Sequence, residues 1–337
     1  MRSPRCLCAT LMLVAALASP ATAQVPACSG TNVLQELQRT DASAHARVES
    51  AAAATENANA ILWRIEKAGV EPSHLFGTMH LTDERIHTLS PTVKAAHGGA
   101  RRLVLELDDL SPDGFLKLLA GSPQLVSLML FTDGRRLNQV LSPDDYRIVS
   151  EALAQSGVPG EAAGLFRPWM ATMLLAIPAC EQRRMTAGLI PLDLRLAKEA
   201  EARGVKPIGL ETPESQFRSL SSTPEADQIE MLKAAARLYG RVEDFAETMV
   251  QLYLERRLGA IWPLQLALAE RVGVAPSVFD TAEQSLLISR NFGMRDNALA
   301  HLEQGNAFVA VGALHLPGKQ GLVSLLREAG YTVTAVE

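Results

Sequence analysis

Two segments of one form, Gly77-Thr78-Met79-His80 and Gly312-Ala313-Leu314-His315, each place a histidine three residues after a glycine. Both follow apolar runs of strand character, His74-Leu75-Phe76 in one case and Ala307 to Val311 in the other. In sheets flanked by helices, ligand sites gather at strand ends, because loops converge there while the sheet holds their bases rigid. A chain with 23 Gly and 7 His contains roughly half such a match by chance, so the shared strand-to-loop placement says more than the motif. A third candidate is Glu106, an acid closing the apolar run Leu103-Val104-Leu105. Burying that charge is costly unless a cation or a metal offsets it. Two imidazoles and one carboxylate from three strand ends would suit a divalent ion, with positions left for water and substrate. The plainer alternative puts Glu106 at the wet edge of the sheet, paired to an arginine.

Other polar residues have cheap structural explanations. Asp193 falls in the first turn of a helix whose apolar positions are Leu192, Leu196 and Ala200, where the helix dipole alone favours an acid. Glu211 precedes Thr212-Pro213-Glu214, a helix start with Thr212 as cap and Pro213 at the first helical position. Arg290-Asn291 lies in the amphipathic segment Leu286 to Leu302 and either faces the acids or lies on a solvated helix face. His45, His74, His87, His97 and His301 share no spacing that suggests a ligand set. A metal-free esterase using a histidine base is disfavoured, since no G-x-S-x-G nucleophile segment is present.

The elements that must position these groups are read from periodicity. Ile61, Trp63 and Ile65 alternate with Leu62, Arg64 and Glu66, a half-buried strand that pairs as a hairpin with His74 to Gly77. Apolar runs bounded by Gly or Pro predict strands at Arg102 to Leu107, Val205 to Leu210, Ala307 to Val311 and Tyr331 to Val336. Helical patterns fill residues 112–130, 142–156, 165–178, 191–203, 224–257, 260–273 and 280–303. Strands thus cluster at the two ends, which predicts an α/β (α+β) fold: a mixed sheet built from both ends of the chain, with a large helical insertion over one side or edge.

Arg2 and Arg5, the apolar run Leu11 to Leu17 and then Ala21-Thr22-Ala23 read as a signal peptide over residues 1–23, cleaved before Gln24. A periplasmic or secreted location follows as the expectation. No later stretch reaches the ~18 consecutive apolar residues of a membrane helix. Loss of Arg2 and Arg5 takes the formal charge from −5 to about −7, which gives nucleic acid or anionic lipid no attraction. Residues 24–58, rich in Ala, Ser and Asn, read as a partly helical lead-in outside the core, and residues 59–337 as the domain. Cys28 and Cys180 remain after processing, and an even pair in an oxidising compartment either closes a disulfide or stays as two thiols.

Taken together and in order, LWRIEKAG, HLFGTMHL, LVLELD, GLIPLDLRLAKEA, KPIGLETPESQ, RNFGM and FVAVGALHLPGKQGLVSLLREAGYTV resemble the TraB/GumN (TraB/PrgY/GumN) family. The resemblance runs from about Leu62 to the C-terminus, with GTMH and GALHLPG its most diagnostic pieces. It implies a fold related to the erythromycin-esterase and haem-binding ChaN groups, and kinship with the animal TIKI metalloproteases. By that resemblance His80, His315 and Glu106 hold Mn, Co or Zn. Asp193, Glu211, Arg290 and Asn291 match other motif positions, as groups that support the site or bind substrate; in the mechanism expected here Asp193 or Glu211 relays protons, and Arg290 or Asn291 stabilises a developing oxyanion. The implied activity is metal-dependent hydrolysis, with a peptide as substrate by analogy. The chain lacks the membrane anchor of the animal proteins, which leaves the substrate open. The alternative is a non-catalytic protein that sequesters a peptide, a polysaccharide fragment or haem.

Overall fold

A computed structural model describes residues 27–108 and 112–337, so the signal-peptide expectation for residues 1–23 lies outside the described residues. Six strands build one mixed sheet: β1 (Leu62–Glu66), β2 (Ser73–Thr78), β3 (Arg102–Leu105), β4 (Pro207–Gly209), β5 (Ala307–Gly312) and β6 (Thr332–Ala335). Their order is β4-β3-β5-β2-β1-β6. Strands β4, β3, β5 and β2 run parallel, while β1 pairs antiparallel with both β2 and β6. The expected hairpin is present, with Trp63 opposite Leu75. As predicted, the sheet draws its strands from both ends of the chain.

Side chains alternate across the sheet with period two, which divides each strand between two cores. Phe76, Leu103, Leu105, Phe308 and Ala310 pack on one face; Leu75, Val104, Val309 and Val311 pack on the other. Helices cover both faces. That is why β1 departs from the half-buried pattern: Leu62 joins the first core, Trp63 and Ile65 the second, and only Arg64 is exposed. Helix Leu192–Glu201 sends Leu192 and Leu196 into the first core, and helix Ser289–Leu302 sends Met294, Ala298 and Leu302 into the second.

The lead-in is a correction. Helices Val33–Thr40 and Ala42–Ala54 place Leu34, Leu37, Ala44 and Val48 in the first core rather than outside it. Helix Ala42–Ala54 packs largely through alanines, which need only a shallow face and leave little periodicity, whereas the short helix Val33–Thr40 buries a clear apolar stripe of Val33, Leu34 and Leu37. The helical mass is also built differently from a single insertion. Two excursions, after β3 and after β4, share a third core in which Leu137, Leu153 and Leu175 meet Leu232 and Ala236. The segment 112–130 breaks at Ser122, which caps a new helix beginning at Pro123. Cys28 and Cys180 form a disulfide with Cα atoms 5.3 Å apart, tying the start of the described chain to helix Ala179–Thr186.

His97 is fully enclosed at 3% exposure, with Nε2 3.2 Å from the Leu196 carbonyl and its ring edge-on to Phe308. Burial lowers its pKa, so the fold holds it neutral. Unfolding lets it take up a proton, and stability should fall as pH drops through the ordinary histidine value near ~6.5. Acidification from pH 7 to 5 is expected to lower the melting temperature, and His97→Gln to reduce that fall. An unchanged pH dependence in the variant would remove His97 from the account.

Candidate metal centre at the sheet edge

Because four neighbouring strands run parallel, their C-terminal ends share one edge, and the motif residues lie just beyond it. His80 follows β2, His315 follows β5, Glu106 follows β3 and Glu211 follows β4. Both motif glycines sit at close approaches. A Cβ on Gly77 would stand 3.0 Å from the Ala313 backbone, so the two turns pack directly on each other. A Cβ on Gly312 would stand 3.1 Å from a Glu106 oxygen and 3.6 Å from His80 Nε2. Glycine there keeps the space between the polar groups open.

Each imidazole is anchored through Nδ1. His80 Nδ1 lies 2.7 Å from Asp193 Oδ2, and the other Asp193 oxygen accepts the Thr78 hydroxyl at 2.5 Å. His315 Nδ1 lies 2.6 Å from Asn291 Oδ1. Asn291 donates its Nδ2–H to the Gln320 carbonyl at 2.8 Å, which leaves Oδ1 as the acceptor facing His315 and assigns the Nδ1 proton to that ring. Both Nε2 atoms then converge on one oxygen, Glu106 Oε1, at 3.9 Å from His80 and 3.8 Å from His315. A proton on Nδ1 leaves Nε2 of a neutral ring as a lone pair.

Glu106 is held from behind. Its Oε1 accepts the Gly312 N–H at 2.6 Å, and its Oε2 accepts Arg290 at 2.7 Å and Gln216 at 3.3 Å. Arg290 also donates to Glu211 at 2.6 Å. The two readings of Glu106 therefore meet in one residue, which faces two imidazoles and is paired to an arginine; at 7% exposure it is not at a wet edge. Arg290 and Asn291 leave the solvated helix face they were allowed, since their side chains turn to Glu106 and His315. A π-helical stretch, Gln284–Ile288, precedes them, and Arg290 donates to the Leu286 carbonyl within it. Such stretches re-phase a helix and occur often at functional sites.

Glu106 and Glu211 share one enclosed cation, Arg290, while a third buried carboxylate, Asp193, pairs with His80. With neutral imidazoles the cluster is short of positive charge. The Asp193 carboxylate raises the His80 pKa well above the ordinary histidine value, and Glu106 adds to it. Burial pushes His315 down to about 4. Burial alone would raise the Glu106 carboxyl, but the charge of protonated His80, Arg290 and the Gly312 N–H outweigh it and hold it below the usual range. Without a metal, then, His80 carries the compensating proton while His315 stays neutral. His80 is also the open wall of the site, its side chain 60% exposed against 5% for His315.

Among the described residues no three His, Cys, Asp or Glu side chains are already closed to metal spacing. Ligands ~2.0–2.2 Å from a divalent ion stand roughly 3.0–3.5 Å from one another. The His–Glu separations of 3.8 and 3.9 Å exceed this by about half an ångström. In donor chemistry the set fits: two imidazole Nε2 atoms whose Nδ1 partners are fixed, and a carboxylate oxygen in an acid-rich pocket. The exposed His80 ring is the wall with room to close.

The structure reassigns several roles. The Asp193 carboxylate does not cap its helix, whose cap position is Pro191; it holds Thr78 and His80 instead. Thr212 and Pro213 begin the next helix as read, and Glu211 is spent on Arg290. Arg290 and Asn291 are committed to Glu106, Glu211, His315 and two carbonyls, which makes them positioning groups rather than free oxyanion donors. Sequence reasoning missed Thr78, Gln216 and Glu181. Glu181, buried beside Cys180, accepts the Thr82 N–H two residues after His80, and nothing in its local sequence marks it. Its neighbour Cys180, singled out as a bridging candidate, was the only available signal.

No helix among the described residues is long and apolar enough to cross a membrane. No curated protein and no solved structure matches the chain. A profile of the TraB/PrgY/gumN family matches residues 61–335, from the residue before β1 to the last residue of β6, and so includes every group gathered at this sheet edge. The chain belongs to the TraB/PrgY/gumN family.

Proposed function

We propose that the chain is an exported metal-dependent hydrolase acting on peptide bonds, with Mn, Co or Zn held by His80, His315 and Glu106. One observation carries this reading: two Nδ1-anchored imidazoles direct their Nε2 atoms at a single buried carboxylate oxygen. A divalent ion there supplies Lewis acidity toward a scissile carbonyl and acidifies water. The chain's own groups do the rest. Asp193 orients His80 and holds or returns a proton at its Nδ1; Asn291 does the orienting for His315. Arg290, Gln216 and the Gly312 N–H keep Glu106 ionised and aimed. Export, which residues 1–23 suggest, is supported by the Cys28–Cys180 bridge, since disulfides persist in oxidising compartments.

The mature protein is expected to bind about one divalent ion per chain, and His80→Ala or His315→Ala to weaken binding roughly tenfold or more. Metal titration with elemental analysis checks this. Wild-type affinity in both variants would dismiss the shared site. Incubation with a diverse peptide library under Mn, Co or Zn, read by mass spectrometry, tests the reaction. Cuts by wild type that vanish in a folded Glu106→Gln variant support hydrolysis. Intact peptides under every metal, with metal bound, would assign the family's site here to sequestering a ligand without turnover.

A further inference from the structure

Away from the sheet edge, helices Val33–Thr40, Pro168–Leu175, Glu225–Leu238, Val242–Leu254 and Ile261–Arg271 surround a cavity of about 400 Å3. None of its walls belongs to the histidine–carboxylate site. The inner walls are buried and apolar, including Leu175, Ala234, Ala269 and Phe279. Met231 and Phe245 line it while only partly buried. Protein interiors pack nearly as densely as organic crystals and leave few voids larger than a water. A cavity of this size with apolar walls falls instead in the ~300–1,000 Å3 range of small-molecule sites.

Two exposed arginines line the cavity, and they differ. Arg241 is spent on Glu36 and Asp244. The Arg271 guanidinium lines the cavity with no hydrogen bond or ion pair to a described residue, although its charge reaches the Glu36 carboxylate that Arg241 holds. Its place in the last turn of helix Ile261–Arg271 suits the helix dipole, but that interaction leaves the guanidinium fork free. An apolar chamber with a free, permanently charged fork at its rim selects by both ends. A polar body would lose its hydrogen bonds to water against these walls, and a cationic head would meet a like charge.

We infer that this cavity binds a single-chain amphiphile of the fatty-acid class, with the tail among Leu175, Met231 and Phe279 and the carboxylate on Arg271. The test uses the processed chain and three probes of equal tail length below their micellar concentrations: dodecanoate, dodecanol and dodecyltrimethylammonium. Calorimetry should show about one dodecanoate per chain, with dodecanol roughly tenfold weaker, the scale of one charge-assisted contact. Arg271→Ala should weaken dodecanoate by about that factor and leave dodecanol unchanged. Filling the chamber with Ala234→Trp, or with the milder Ala269→Leu if the first variant fails to fold, should abolish binding of both. Equal affinity for all three heads, dodecanoate binding that survives a folded filling variant, or no binding by wild type would each overturn the inference.

Discussion

Replacing Arg290 with Met is expected to destabilise the protein by about 3–5 kcal/mol at neutral pH, the usual result of removing one partner from a buried ionic cluster. The guanidinium is 9% exposed and lies 2.7 Å from Glu106 and 2.6 Å from Glu211, each of which is as enclosed as it is. Without it two buried carboxylates face each other with no cation between them. One must take up a proton or leave the interior. The variant therefore binds a proton in the native state that the unfolded chain releases at ordinary carboxylate pKa. Its deficit should shrink as pH falls from 7.5 to 5, opposite in sign to the His97 effect, because protonation now favours the native form. Arg290→Lys should recover part of the loss, keeping the charge but not the forked geometry. Denaturant titrations at the two pH values measure this, and a deficit under about 1 kcal/mol, or one independent of pH, would show that the cluster is not coupled as its geometry implies.

Loss of the Cys28–Cys180 bridge should cost a comparable amount. The cysteines are 152 residues apart in sequence, so the bond closes a long loop. Chain entropy assigns about 5 kcal/mol to a loop of that length, and measured losses for native disulfides run ~2–5 kcal/mol. The paired Cys28→Ser and Cys180→Ser variant should melt roughly 5–10 °C lower. Part of the loss is local to the site. Cys180 lies in the first turn of the helix that carries Glu181, whose carboxylate receives the Thr82 N–H just beyond His80. The variant should therefore also bind metal more weakly than wild type when both are folded. Equal melting temperatures and equal metal affinity would mean that the bridge constrains neither the fold nor the His80 loop.

The strand ends that gather the candidate site were legible because their signals are local. A period of two, a bounding glycine and an acid closing an apolar run all lie within a few residues of His80, His315 and Glu106, and parallel pairing brings those ends to one edge. The same locality made other groups ambiguous. Asp193 sits in a first helical turn where the dipole already favours an acid, and only the tertiary structure shows its approach to His80, 113 residues away in sequence.

By itself, then, the sequence determined the class of fold, the two histidine turns, the acid at the end of β3 and the helix start at Thr212, and it left Cys28 and Cys180 as a pair that either bridges or stays as two thiols. Tertiary structure alone decided which polar group each of these meets. It turned Asn291 toward His315, spent Arg290 on two carboxylates, buried Glu181 beneath the His80 loop and drew the alanine-rich lead-in into the core. The physical reason is that strand and helix periodicity depends on neighbours along the chain. The partner of a buried charge is set by which elements pack together, and no residue near that charge in sequence records the choice.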